Sequence, residues 1–389
     1  MAAESAKEFE ALEAQATTLL DLFKRAGYEQ VAPSILQPAD VFLDRIGEQV
    51  RSLTYMFSDL AGDELCLRPD LTVPVSRLYL ERHPRADAAA RYCYNGPAFR
   101  FQPHRPRSQR EFRQAGVESF GIADRDQADA EVVLLAVDAV RRAGLKRFSL
   151  RFGDIGLFYA LIDALGLPER WRLKLRHYIW RPPAFHALLG QLARGERANG
   201  DGPAAALAAT LAGKSQDEAE ELVAAHLDAL GLPLAGNRTL AEIAARLLDH
   251  AADLNAEPLP KEVATVIDYY LAVSGAPNEA VERVAMIGKG AGIDLGPALD
   301  AIVRRFERLA QGGIDLGSAV FATEFGRDLE YYSGLVFQIE AGGGENREQI
   351  AGGGRYDGLL EALGAPRAVP AVGAAVHTER LLAAVQGGA

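Results

Sequence analysis

The feature that most constrains the fold is the order in which two kinds of pattern occur along the chain. Short strand-like stretches come first, at Leu53–Phe57, Glu64–Leu67, Tyr92–Phe101, Phe112–Phe120 and Phe148–Phe152. A long region from about Gly166 to Gly317 then turns to alanine, leucine and charge. Examples are Pro203-Ala-Ala-Ala-Leu-Ala-Ala-Thr-Leu211 and Leu240-Ala-Glu-Ile-Ala-Ala-Arg-Leu-Leu248. Good helix formers dominate there, interrupted by Gly and Pro. Strand-like stretches return at Ser318–Thr323, Tyr331–Glu340 and Val369–Val376. A sheet begun early and completed late implies one domain carrying a helical insertion. The expected division is a core of residues 1–165 and 315–389, with a mostly helical insertion over 166–314.

Helical periodicity covers roughly residues 4–26, with Phe9, Leu12, Leu19, Leu20 and Phe23 on one stripe and Gly27 at its end. Two further helices are expected near Leu71–His83 and Gln127–Ala143, the second N-capped by Asp126. Strands do not alternate strictly with helices. That argues against a simple parallel βαβ arrangement and for an α+β fold, a mostly antiparallel sheet flanked by helices. Gly342-Gly-Gly-Glu345 reads as a tight turn between strands.

Length and charge narrow the function. A chain of 389 residues buries a large core. Its net charge of −11 argues against a large nucleic-acid footprint, which needs clustered Lys and Arg. Cys66 and Cys93 lack ligand spacing and read as buried reduced thiols. The acidic start Met1-Ala-Ala-Glu-Ser-Ala-Lys-Glu has no apolar core segment, so a secretory signal is not expected. No apolar run approaches a membrane span. A reducing cytoplasm fits these features.

Four segments carry residues suited to chemistry. In Leu67-Arg-Pro-Asp-Leu-Thr-Val-Pro-Val-Ser-Arg77 a carboxylate and a hydroxyl two residues apart suit a ligand ammonium; the plain alternative is helix capping by Asp70 or Thr72. In the run Arg91–Gly121, Arg100 offers a planar fork to a phosphate or carboxylate, and Gln114 and Glu118 are polar residues inside an apolar strand pattern. A buried Glu118 needs partners or a ligand to offset its desolvation. In Gly326-Arg-Asp-Leu-Glu-Tyr-Tyr-Ser-Gly334, Arg327 accompanies Tyr331 and Tyr332, whose plain alternative is strand packing. Gly352-Gly-Gly-Arg-Tyr-Asp-Gly358 passes for a phosphate cradle, although a glycine-rich run alone is a weak signal.

Taken together, Phe99-Arg-Phe-Gln-Pro-His-Arg-Pro106, Phe112-Arg-Gln-Ala-Gly-Val-Glu118, Ala351-Gly-Gly-Gly-Arg-Tyr-Asp-Gly-Leu359 and Val372-Gly-Ala-Ala-Val-His-Thr-Glu-Arg-Leu381 resemble the catalytic core of class II histidyl-tRNA synthetases. The resemblance implies a class II aminoacyl-tRNA synthetase-like core and covers roughly 1–165 and 315–389. It aligns Arg100 with the arginine that holds the ATP α-phosphate, Arg327 with one supporting adenylation, and Arg380 with the arginine that stacks on adenine. The departures cluster at the nucleotide. His377 stands where a glycine lets the backbone approach adenine, Thr378 replaces a small apolar residue, and Asp328 replaces a glycine beside the phosphate-facing Arg327. Asp70 also replaces the longer glutamate of the synthetase pattern. The anticodon-binding domain that follows the core in the synthetases has no counterpart in the sequence.

A lost anticodon domain, disturbed ATP motifs and a retained amino-acid pocket together resemble the regulatory-subunit family of ATP phosphoribosyltransferase. That resemblance implies a non-catalytic, cytoplasmic protein, without cofactor, metal or tRNA. It implies a homodimer through the core, assembled in a hetero-oligomer with the short-form catalytic subunit. The complex would be activated for the first step of histidine biosynthesis and inhibited allosterically by L-histidine. The histidine-binding residues implied are Asp70, Thr72, Arg100, Gln114, Glu118, Arg327, Tyr331 and Tyr332. The alternatives are an active histidyl-tRNA synthetase-like adenylating enzyme and a pure binding protein that regulates a translation kinase.

Overall fold

A computed structural model describes residues 5–43, 53–101, 110–194, 203–232, 239–254, 258–326, 331–344 and 347–388. The chain divides into two compact units, residues 1–180 with 269–389, and residues 181–268.

The larger unit is built on a nine-stranded sheet. Its strands are β1 (Glu29–Gln30), β5 (Ala90–Phe99), β6 (Glu111–Phe120), β7 (Ser149–Asp154), β8 (Ser274–Gly275), β9 (Val320–Ala322), β10 (Leu335–Ala341), β11 (Glu348–Arg355) and β12 (Ala371–His377). They lie in the order β1-β5-β6-β12-β11-β10-β7-β9-β8. Only β1–β5 and β7–β9 pair in parallel, so the sheet is mostly antiparallel. A small antiparallel sheet joins β2 (Leu36–Pro38), β3 (Tyr55–Ser58) and β4 (Glu64–Leu67) in the order β2-β4-β3.

The centre of the large sheet is a run of antiparallel neighbours whose register sets which side chains share a face. Tyr92 and Gly373 both lie opposite Glu118, and Gly354 lies opposite Gly373. Because side chains alternate along a strand, these residues face one way together with Tyr94, Gln114, Gly116 and Tyr356. The helix Thr72–Arg82 covers this face through the Thr72–Glu118 hydrogen bond. The opposite face carries the helices Ala6–Arg25, Arg125–Arg142 and Thr378–Gln386. Gln15 Nε2 ties the first of these to the last by donating to the Thr378 carbonyl at 2.8 Å.

Helix boundaries follow local chemistry. The first helix buries Leu12, Leu19 and Phe23 and ends before Gly27, whose φ of +86° is the left-handed conformation glycine adopts without strain. The helix Arg125–Arg142 is capped by Asp124, not by Asp126 as its sequence suggests: Asp124 accepts from the Gln127 amide at 3.0 Å. Asp126 is instead drawn into ion pairs with Arg304 and Arg305. Strand β10 starts at Leu335, later than the expected Tyr331, because Tyr331 lies in a turn and the chain bends at Gly334. Between β10 and β11, Gly342 and Gly344 both have positive φ, as the expected turn requires; Glu345 lies outside the described residues.

The second unit is helical. It includes the helices Pro182–Arg194, Pro203–Thr210, Gln216–Ala229 and Leu240–Leu254. Leu211, Ala219, Val223 and Ala244 form a core of its own, with Leu207, Leu227, Ile243 and Leu247 packed against it. A capping box at Ser215 and Glu218 starts the Gln216–Ala229 helix. This unit is narrower than the expected 166–314 span. The helices Glu169–Tyr178, Pro277–Ala291 and Gly296–Gln311 and strand β8 belong to the sheet unit, because Phe306 packs on Phe152 and Phe321 of the sheet and β8 pairs with β9.

Candidate functional site

The site lies on the sheet face under the N-terminus of the Thr72–Arg82 helix. The segment Leu67-Arg-Pro-Asp70 is held from behind by Arg68, whose guanidinium donates to the carbonyls of Pro97 at 2.7 Å and Pro33 at 2.6 Å. That clamp fixes Asp70 at the start of the helix. Asp70 Oδ1 accepts from the Val73 amide at 3.1 Å, so capping does occur, but it uses one oxygen only. Asp70 Oδ2 is buried with no hydrogen-bond partner. Burial pushes the Asp70 carboxyl up from the ordinary range, against the pull of the Val73 amide and of Arg100 and Arg68.

Asp70, Thr72, Arg100, Gln114, Tyr331, Tyr332 and Tyr356 line one cavity. Its remaining lining is Gly352, Gly353, Gly373, Ala374 and Ala375, which contribute almost no side chain. Gln114 presents a second buried acceptor, Oε1, also without a partner. Arg100 is anchored by its Nε, which donates to the Pro69 carbonyl at 2.9 Å. Six of the eight expected residues therefore meet in one place. Arg327 lies outside the described residues, as do Asp328 and residues 102–109 of the loop between β5 and β6.

Glu118, the eighth, does not line the cavity. It lies fully buried beneath it, within a cluster of hydroxyls. Its Oε1 accepts from Thr72 Oγ1 at 2.7 Å and from the Tyr94 hydroxyl at 3.0 Å, and its Oε2 accepts from the Tyr356 hydroxyl. Burial raises its pKa from 4.5 to about 7 despite those donors, with nearby Asp70 adding to the rise. The place for this carboxylate exists only because Gly373 has no side chain: a Cβ there would collide with Glu118 Oε2. Tyr94 and Tyr356 are site residues that the sequence reading missed. Both sit in strand-like patterns where an aromatic reads as packing, and only the register across β5, β6, β12 and β11 brings them to Glu118.

The Gly352-Gly-Gly354 run is not a phosphate cradle. Its residues form the middle of β11, paired with β10 on one side and β12 on the other. The glycines serve close packing, since a Cβ on Gly353 would strike the Gly373 carbonyl. Arg355 turns to the other face, where it pairs with Asp129 at 2.6 Å and Asp357 at 2.8 Å.

His377, Phe112 and Arg380 each pack against other parts of the chain. His377 is buried, its ring centroid 5.3 Å from that of Phe112. The Arg100 guanidinium carbon lies 5.2 Å from the centroid of the Phe112 ring. Arg380 is turned to β11, donating to the Gln349 carbonyl at 3.2 Å and pairing with Glu348 at 3.4 Å.

Cys66 and Cys93 are buried free thiols. Among the described residues, no group of three His, Cys, Asp or Glu side chains is placed to hold a metal ion, and no helix is long and apolar enough to cross a membrane.

Known proteins share this architecture. The sequence matches the histidyl-tRNA synthetase family model over residues 4–381. An ATP phosphoribosyltransferase regulatory subunit of Mesorhizobium japonicum is 35% identical over 370 residues, spanning 94% of this chain and 96% of the relative. One from Brucella anthropi is 34% identical over 358 residues, spanning 91% and 92%. Among solved structures, an ATP phosphoribosyltransferase regulatory subunit/histidyl-tRNA synthetase from Bacillus halodurans superposes with a TM-score of 0.64 at 21% identity, covering 99% of this chain and 82% of its own. A histidine–tRNA ligase subunit from Alicyclobacillus acidocaldarius gives 0.61 at 24% identity, covering 100% and 96%. At those identities the structures speak for the fold, a class II histidyl-tRNA synthetase-like core. The sequence match reaches further: the chain belongs to the family of ATP phosphoribosyltransferase regulatory subunits, within the wider histidyl-tRNA synthetase family.

Proposed function

We propose that this chain is the non-catalytic regulatory subunit of an ATP phosphoribosyltransferase complex. It dimerises through the sheet unit and activates a short-form catalytic subunit in the first step of histidine biosynthesis. It also senses L-histidine in the cavity beneath the Thr72–Arg82 helix. The observation that carries this reading is the pair of buried, unpartnered acceptors, Asp70 Oδ2 and Gln114 Oε1, beside Arg100. Leaving such atoms unpaired costs about 1–3 kcal/mol each, a cost that a ligand ammonium removes. Arg100 offers the complementary charge for a carboxylate. An amino-acid zwitterion satisfies both, and Tyr331, Tyr332 and Tyr356 form an aromatic wall for its side chain.

The cavity has a volume of about 20 Å³, little more than a single water needs. A histidine therefore enters only when lining side chains move. The strands behind the cavity are locked on both sides by their ladders, so the yielding residues are Tyr331, Tyr332 and Arg100. A site that is closed when empty and open when filled gives histidine a different affinity for two states, which feedback through a partner subunit requires.

The test is calorimetric titration of the chain with histidine and separately with ATP, alongside an ATP–pyrophosphate exchange assay. Histidine binding without ATP binding or exchange is expected. ATP binding with exchange would show that the His377–Phe112 contact does not close a nucleotide site, and would make the chain an adenylating enzyme. Failure to raise the activity of a short-form catalytic subunit would remove the regulatory role.

A further inference from the structure

Arg100 lines the cavity, but part of what holds it lies outside the lining. Strand β6 places Phe112 two residues before Gln114, so both side chains stand on the cavity face of the sheet. Across the ladder His377, the last residue of β12, lies directly opposite Gln114 and shares that face. Phe112 and His377 are both buried, and neither is among the residues that line the cavity.

The two rings and the guanidinium of Arg100 form a short stack. The Phe112 and His377 ring centroids are 5.3 Å apart, their planes inclined by 39°. The Arg100 guanidinium carbon lies 5.2 Å from the Phe112 centroid. At the same time Arg100 Nε donates to the Pro69 carbonyl at 2.9 Å, on the segment that leads into Asp70. Arginine has more rotamer freedom than most side chains, and a ligand that must order it on binding is held more weakly. A guanidinium already resting on an aromatic face, with one N–H fixed to a carbonyl, is ordered before the ligand arrives. The Phe112 ring keeps that place because His377 packs against it.

We infer that His377 is a positioning residue for Arg100: acting through the Phe112 ring, it holds the guanidinium at the cavity, ready for the carboxylate of an amino acid. This inference rests on the histidine-sensing reading above and adds to it a residue that never touches the ligand. On sequence, His377 is a side chain in place of a glycine, a residue that takes up room. The stack gives it a part in amino-acid binding. A ring acting through Arg100 matters to the carboxylate end of the ligand and not to the ammonium end, where Asp70 stands on a different element. A ring that only fills space makes no such distinction.

The experiment titrates the wild-type chain, His377→Ala and His377→Phe with L-histidine. Each is then titrated with L-histidinol, in which a hydroxymethyl group replaces the carboxylate, by displacement of bound histidine. His377→Ala is expected to weaken histidine binding roughly two- to tenfold, the worth of one aromatic pair, and to leave L-histidinol within about twofold of wild type. His377→Phe keeps a ring against Phe112 and is expected to bind histidine as the wild type does. General loosening of the site weakens both ligands alike, so the ratio of the two affinities separates positioning from support of the fold. Equal losses for both ligands in His377→Ala would overturn the inference. So would an unchanged histidine affinity in His377→Ala, or the same loss in His377→Phe as in His377→Ala. Each of these leaves the histidine-sensing reading standing. A wild-type chain that binds no histidine removes that reading, and this inference with it.

Discussion

Glu118 takes a proton into the fold at a pH where an exposed glutamate has lost it. Its pKa lies near 7 in the folded chain against 4.5 for an ordinary glutamate. Between those values the folded state binds more protons than the unfolded one, so stability falls as pH rises through the interval. The effect is roughly 3 kcal/mol, fully present below about pH 4.5 and lost above about pH 7. Glu118→Gln should keep the hydroxyl cluster, because the amide oxygen still accepts from Thr72 and Tyr94 and the Tyr356 hydroxyl can turn to accept. Urea unfolding at pH 5, 6, 7 and 8 should then show the wild type losing stability more steeply than the variant; parallel profiles would clear Glu118 of the effect. Gly373→Ala is a harsher change. The new methyl has no room beside Glu118 Oε2, and about 3 kcal/mol of destabilisation, the upper end for overpacking, should appear in the same assay. At this scale the sequence was informative about ligand-facing residues and poor about what supports them. Asp70, Thr72, Arg100, Gln114, Tyr331 and Tyr332 stand in motif positions and meet in one cavity. Tyr94 and Tyr356 carry no local mark, since their role depends on cross-strand register, which a linear pattern does not encode.

At the scale of elements, an ionic cluster fastens the Gly296–Gln311 helix to the sheet. Arg305 reaches Asp126 at 3.0 Å, Asp129 at 2.9 Å and Asp154 at 2.9 Å, and Asp129 is shared with Arg355 of β11. Asp154 also caps the Ile155–Ala164 helix through the Leu157 amide at 2.9 Å, so one carboxylate serves two helices. Burial raises the pKa of Asp129 and Asp154, and the arginines work against that rise. Arg305→Met keeps the bulk of the side chain and removes its charge, leaving those carboxylates short of a partner. The expected cost is about 3–5 kcal/mol. Adding Asp154→Asn should recover part of it in denaturant melts, because the amide needs no counter-charge; an additive loss would mean the two residues are not coupled. Two boundaries next to this cluster differ from the sequence reading. Asp124 is the cap because it stands just before the Arg125–Arg142 helix, where its side chain reaches the Gln127 amide, while Asp126 lies inside the first turn; both pair with arginines of the Gly296–Gln311 helix. The same helix was read into the insertion on composition, yet its Arg305 and Phe306 belong to the sheet unit. The late completion of the sheet, by contrast, was legible, because strand-like stretches return after residue 317, and β9 to β12 do join the strands up to residue 154.

The whole molecule consists of two compact units, and the proposed ligand cavity lies entirely within one of them. Linkage then makes a regional prediction. A ligand that binds only the folded state stabilises it by about 2.7 kcal/mol at a hundredfold excess over its dissociation constant. That gain reaches only those openings that disrupt the site. Hydrogen exchange with and without saturating histidine should therefore show slower exchange in β6, β11, β12 and the start of the Thr72–Arg82 helix, which line or support the cavity. The helices Gln216–Ala229 and Leu240–Leu254, whose core is Leu211, Ala219, Val223 and Ala244, should exchange at unchanged rates. ATP should alter neither set, because Phe112 and His377 occupy each other and Arg380 is engaged with β11. Protection spreading equally through both units would mean that they unfold as one cooperative body and that histidine acts on the chain as a whole. Protection confined to the second unit would move the ligand site out of the sheet unit and remove Asp70 and Gln114 from its description.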